Sequence, residues 1–314
     1  MSANIVAMPD RSSTGNAAGA EELCEGRAES EDFNTTVVVG DLRIHVVVRG
    51  QGRPLLLIGG IGANVEMCEP FARALRQSRL IMFDLPGCGA SSTPKRPVSF
   101  PGLASIIEAM LDELGYEQVD VLGVSMGGGV AQQVARQAPD RVRRLVLVAT
   151  GCGIGMVPGR PWAVAVLASP LRYYSATFFR LVAPIFLGGE NWKDRNFVRE
   201  HAAARRVKPP SVRGYYMQAF AGVTWSSLPW LHTLPHQTLV LSGDDDPIVP
   251  AINGSVLAHR IPNARYQVIR GGGHLFILDS PDEVAPLVEE FLEDTELQDH
   301  APDRHQRVMT GIRG

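Results

Sequence analysis

The sequence predicts an α/β chain: a mostly parallel central sheet flanked by helices, with an all-helical segment inserted after the sixth main strand. Three observations carry this prediction. Short β-branched and aliphatic runs alternate with stretches of helical period from residue 35 to residue 150, the rhythm of strands joined by helical crossovers. One strand-to-helix junction holds a serine between glycines, Gly123-Val124-Ser125-Met126-Gly127. After Thr150 the alternation stops, and it resumes only at Thr238.

Residues 35–39 and 42–48 flank Gly40-Asp41 and read as an edge hairpin. The continuous apolar run 55–58 suits a strand buried on both faces, and it ends in Gly59-Gly60-Ile61-Gly62-Ala63-Asn64. A helical stretch at 65–76, a strand at 79–83 and a glycine-rich loop at 84–92 follow. Then come a helix at 102–114, a strand at 119–124, the helix beyond Ser125 and a strand at 143–148. Between 151 and 235 the helical stretches are 162–167, 173–186, 215–220 and 225–231. Alternation returns as strand 238–241, helix 251–260, strand 266–269 and helix 281–292. The expected organisation is a disordered extension over 1–33, the core over 34–150 and 236–294, a helical cap over 151–235, and a disordered tail over 295–314.

The 314 residues are 45% hydrophobic and 20% charged, a balance that can bury a sizeable core and argues against disorder for most of the chain. A formal net charge of -3 gives no reason to expect nucleic acid as a partner. Cys24, Cys68, Cys88 and Cys152 stand singly, which fits neither a zinc site nor a disulfide scaffold and suits a reducing compartment. Cys88 and Cys152 are expected to be buried small hydrophobes. The first residues lack a basic stretch followed by an apolar one, so a secretory signal is not expected. No apolar run approaches the roughly 18 residues of a membrane span.

A serine on a sharp strand-to-helix turn, with glycines two before and two after, resembles the nucleophile elbow of the α/β-hydrolases. A Cβ at Gly123 or Gly127 would collide with the neighbouring strand and helix on so tight a turn. A serine hydroxyl is a weak nucleophile until a base takes its proton and a carboxylate orients that base. The resemblance implies the chain order serine, acid, histidine. Of the eight histidines, only His274 stands in a glycine-rich loop (Gly271-Gly272-Gly273-His274) between a late strand and the last helix. Asp244, Asp245 and Asp246 all follow strand 238–241, and the resemblance favours Asp246, immediately before Pro247-Ile248. It also implies an oxyanion hole formed by the backbone amides of Met126 and of Ile61, with Gly60, Gly123 and Gly127 as elbow and turn glycines. Asp84, at a strand end, reads as a structural loop residue in this fold. Aspartate at position 125 would be needed for a dehalogenase or an epoxide hydrolase, and the residue is serine.

Longer stretches are more specific. Gly60 to Asn64, SSTPKRPVSFPGLA from Ser91, MVPGRP from Met156, ASPLRYY from Ala168 and GDDDPIVPAIN from Gly243 resemble the intracellular depolymerases of medium-chain-length polyhydroxyalkanoates. That resemblance implies a serine hydrolase using Ser125, Asp246 and His274 to release 3-hydroxyacids from a storage polyester, in the cytoplasm and at the granule surface, with no cofactor and no metal. The cap aromatics Trp162, Tyr173, Tyr174, Phe178, Phe179, Tyr215, Tyr216, Trp225 and Trp230 are candidates for contact with acyl chain or granule, ordinary core packing being the simpler reading of each. Two departures stand out. Met126 replaces the tryptophan common after the nucleophile, and Gly59-Gly60 replaces the His-Gly of many α/β-hydrolases. The rival readings are a small-molecule carboxylesterase or lactonase, a carbon–carbon bond hydrolase with the same triad, or a non-catalytic binding protein of the same fold. Oligomeric state is left open.

Overall fold

Among the described residues, eight strands form one sheet, antiparallel at one edge and parallel across the rest. The computed structural model describes residues 32–297. The expected extension, apart from its last two residues, and the expected tail from residue 298 lie outside them, as do Cys24, His300 and His305. Phe33, expected in the extension, already belongs to the first strand. There β1 (Phe33–Val39) pairs antiparallel with β2 (Leu42–Arg49), turning through Gly40 at φ 60, where a residue without Cβ is favoured. β2 pairs antiparallel with β4 (Ser78–Phe83). From there β3 (Arg53–Ile58), β5 (Val119–Val124), β6 (Val142–Val148), β7 (Gln237–Gly243) and β8 (Ala264–Ile269) run parallel.

Side chains on a strand alternate between faces, so each central strand feeds two cores. Leu56, Ile58 and Val121 pack with Phe100 and Ile107 of α2 (Phe100–Glu113) and with Val130 and Val134 of α3 (Met126–Gln137). Leu55, Leu57, Leu122 and Val124 pack on the opposite face with Phe71 of α1 (Val65–Ala74) and with residues of the C-terminal helix Pro281–Glu293. Each such side chain contributes about 1.5–3 kcal/mol on full burial. β3 and β5 are neighbours, with Ile58 opposite Gly123, and their following helices pack on opposite faces. The crevice beyond the carboxyl ends of two such strands is where open parallel sheets bind ligands.

Between β6 and β7 come α4 (Pro161–Leu167), α5 (Leu171–Tyr174), α6 (Ala176–Phe186), α7 (Arg195–Val207) and α8 (Val212–Val223). The predicted helix over 173–186 is broken at Ser175, whose hydroxyl caps α6 by accepting from the Phe178 N–H. Segment 225–231 is not a helix. Ser226 bridges Gly153, the Ser227 amide donates to Cys152 O, and the Ser227 hydroxyl donates to Gln132; these bonds, with Pro229 in the segment, outcompete helical ones. The remaining elements are α9 (Ile252–Arg260), α10 (Phe276–Asp279) and α11 (Pro281–Glu293). Among the described residues, no helix is long and apolar enough to cross a membrane.

α7 was not predicted, because its buried face is only Val198, Ala202 and Arg205 in an otherwise charged sequence. His201 on this helix packs at a tilt on Phe197 at 4.1 Å and edge-on against Trp192 at 5.0 Å, and its Nδ1–H donates to Phe197 O at 3.1 Å. Burial pushes its pKa down from 6.5 to about 4. A base whose pKa is lower in the native state adds stability above pH 6.5 that is lost as pH falls towards 4. Comparing urea unfolding at pH 7 and pH 5, His201→Leu is expected to reduce the acid-induced loss of stability by about 1–2 kcal/mol. An identical loss in wild type and variant would refute this assignment.

Candidate active site

The elbow puts Ser125 in a backbone conformation that few side chains adopt, φ 55 and ψ -120. Hydrogen bonds to its main chain hold it there. The Ser125 amide donates to Val148 O at 2.9 Å, and its carbonyl accepts from Gly128 N–H at 2.9 Å and the Thr150 hydroxyl at 2.7 Å. The flanking glycines are required by space. A Cβ on Gly123 would lie 2.4 Å from Gly127 O, and one on Gly127 would lie 2.1 Å from Ile58 O.

His274, in the loop after β8, is brought to the serine. Its Nε2 lies 2.9 Å from Ser125 Oγ, and its Nδ1 lies 2.8 Å from Asp246 Oδ2. A neutral ring that donates its Nδ1–H to the carboxylate leaves Nε2 to accept the serine proton. The His274 amide donates to Leu187 O at 2.6 Å, tying this loop to the helical insertion. Asp246 Oδ1 accepts from the amides of Ile248 and Val249 at 2.8 and 2.9 Å. Both residues are buried.

The three consecutive aspartates divide their work. Asp244 accepts from the Gly271 amide at 2.7 Å and Asp245 from the Gly189 amide at 2.9 Å, so only Asp246 of the three reaches the histidine. Asp84 is fully buried away from this line. Its oxygens accept from the amides of Val65 and Ala90 and pair with His45, which is a loop-fixing role.

Gly60 lies against the serine, a Cβ there falling 3.9 Å from Ser125 Oγ. Among the described residues, the amides of Ile61 and Met126 have no protein acceptor. The Ile61 loop is held from the insertion, a feature without sequence signal. The Tyr173 hydroxyl donates to Ile61 O at 2.5 Å, and the Gly62 amide donates to Gln218 Oε1 at 3.0 Å. Gln218 in turn donates to Pro86 O and to Cys88 Sγ. Gly62 sits at φ 73, and a Cβ there would meet the Tyr173 ring at 2.8 Å.

Ser125 and His274 open onto a pocket with about 670 Å³ of empty space, part of it open to solvent. Its core-side wall is apolar, including Leu57, Phe71 and Leu278; its cap-side wall includes Tyr173, Phe186, Arg172 and Arg205. Cys88 and Cys152 are buried, as expected. The cysteine that lines the pocket is Cys68, and desolvation pushes its thiol up to about 12, which keeps it protonated and unreactive at neutral pH. Of the nine cap aromatics, Tyr173, Phe179, Tyr215 and Trp225 are buried, whereas Trp162, Tyr174 and Tyr216 are exposed. Among the described residues, no group of acidic, histidine or cysteine side chains has the arrangement of a metal site.

The model of the family described as alpha/beta hydrolase fold matches residues 53–281. The chain belongs to the α/β-hydrolase family. It is 47% identical over 241 residues to the poly(3-hydroxyalkanoate) depolymerase of Ectopseudomonas oleovorans, spanning 76% of this chain and 84% of that protein. It is 29% identical to the 2-hydroxymuconate semialdehyde hydrolase of Pseudomonas putida, over 84% and 95% of the two chains. The meta-cleavage product hydrolase of Pseudomonas fluorescens IP01 superposes with a TM-score of 0.72 at 23% identity, covering 83% of this chain and 97% of that one. An esterase from Exiguobacterium antarcticum superposes with the same TM-score at 22% identity, over 83% and 99%. These two structures share the α/β-hydrolase fold. The expected fold class is therefore observed, and the protein is a hydrolase of this family.

Proposed function

We propose that this α/β-hydrolase is a serine hydrolase of carboxylic esters whose substrate is a polyester of 3-hydroxyacyl units. Ser125 Oγ attacks an ester carbonyl while His274 Nε2 takes its proton, and Asp246 stabilises the imidazolium. The amides of Ile61 and Met126 donate to the oxyanion. Collapse breaks the bond to the 3-hydroxyl oxygen of the next unit, which leaves with the proton from His274. Water, deprotonated by His274, then adds to the acyl-enzyme, freeing the carboxylic acid and Ser125.

The observation that carries this reading is the Ser125–His274–Asp246 hydrogen-bonded line opening onto an apolar pocket. The polymer is supported by the 47% identical depolymerase and by exposed apolar side chains on two cap helices. Val212, Tyr216 and Phe220 recur every four residues on α8, and Leu181 and Ile185 do so on α6, all exposed. Such patches mark surfaces that meet another apolar body. On this reading the protein works inside the cell, at the surface of the granule.

Turbidity of a medium-chain polyester suspension is expected to clear with wild type, with 3-hydroxyacids appearing in solution. Intact granules beside rapid cleavage of soluble esters would reject the polymer and favour a small-ester hydrolase.

A further inference from the structure

Arg205 is 2% exposed, and among the described residues its Nε and Nη2 have no hydrogen-bond partner. Tyr173 hydrogen-bonds the guanidinium, and of the groups acting on its charge, Tyr173, Tyr215 and Arg172, none is a carboxylate. Its guanidinium lies 4.5 Å from the Phe179 ring centre and 5.4 Å from that of Tyr173. Arg172, 3% exposed, donates to Ser169 O at 2.9 Å and to the Tyr215 hydroxyl at 2.8 Å. Both arginines line the pocket that holds Ser125 and His274, and among the described residues no acidic one lines it. A buried cation without its counter-ion is costly, and a guanidinium with free N–H groups offers the planar fork that matches a carboxylate.

Resting on the polyester reading above, we propose that Arg205, assisted by Arg172, binds the free carboxylate that terminates a 3-hydroxyacyl chain. The polymer's own chemistry then sets the direction of attack. In such a chain the free carboxylate always lies on the alcohol side of any ester bond. The unit held by the arginines is therefore the leaving unit, and its 3-hydroxyl departs when Ser125 is acylated. The apolar wall of Leu57, Phe71 and Leu278 remains for alkyl side chains. The enzyme shortens chains from the carboxylate end, releasing short 3-hydroxyacids from the first turnovers.

The test compares two soluble dimers of 3-hydroxyoctanoate, one with its carboxylate free and one capped as the methyl ester. Wild type is expected to cleave the free acid with a kcat/KM roughly tenfold or more above that of the methyl ester. Arg205→Gln is expected to bring that ratio close to one, and Arg205→Lys to recover part of it. Because the ratio is taken within one protein preparation, loss of active sites in a variant cancels, and the wild-type ratio decides even if the variants fail to fold. Equal cleavage of both dimers by wild type, or an unchanged ratio in Arg205→Gln, would overturn the carboxylate site and leave the polyester reading standing. Failure to cleave either dimer beside rapid hydrolysis of p-nitrophenyl octanoate would sink both.

Discussion

Ser125→Ala is expected to lower kcat on any ester this protein cleaves by roughly 10⁴–10⁶-fold, without unfolding it. The two halves of that expectation have separate causes. Among the described residues the hydroxyl has one hydrogen-bond partner, His274 Nε2, and it supplies the attacking oxygen. The elbow itself is held through the main chain of Ser125, its N–H bonded to Val148 O and its carbonyl to Gly128 N–H and the Thr150 side-chain hydroxyl. Alanine can occupy φ 55 at the same steric cost as serine, so stability should change by about 1 kcal/mol or less. A fluorophosphonate should label wild type once per chain, and the variant not at all. Labelling that survives the substitution, or activity within about a hundredfold of wild type, would place the nucleophile elsewhere.

The sheet, the elbow and the His274 loop were legible because each depends on residues close in sequence. Alternating apolar runs declare the strands, and a serine between glycines on a strand-to-helix turn declares the elbow. The aspartates show where this legibility ends. Asp244, Asp245 and Asp246 are consecutive, and what separates them is contact with Gly271, Gly189 and His274, residues distant in sequence. The clamps on the Ile61 loop had no sequence signal at all, since Tyr173 and Gln218 lie 112 and 156 residues from their partners. α7 was missed for a different physical reason. An arginine on the buried face, beside only Val198 and Ala202, leaves that face small and broken by a charge, so apolar periodicity reveals it poorly. The residue that hides α7 in the sequence, Arg205, also brings a positive charge to the pocket.

Gly127→Ala should destabilise the fold by more than about 3 kcal/mol and abolish activity in whatever protein remains soluble. The added methyl would sit 2.1 Å from Ile58 O and 2.5 Å from Gly59 O. Those atoms are backbone at the end of a central strand, so they cannot swing aside as a side chain would. They also begin the loop that carries Ile61, so relief of the clash moves a proposed oxyanion donor away from Ser125, a loss worth roughly 10²–10³ in kcat. Gly60→Ala supplies the contrast. Its methyl would lie 3.4 Å from Ser125 Cβ and 3.5 Å from Val124 O, ordinary contacts or nearly so. That variant is expected to unfold within a few degrees of wild type, yet to lose activity because the methyl intrudes where the ester must sit. Thermal unfolding measured beside kcat/KM separates the two. Equal stability of Gly127→Ala and wild type would show that the turn can relax without its glycine, and that the close packing of Ile58 on the elbow is not what holds the serine in place.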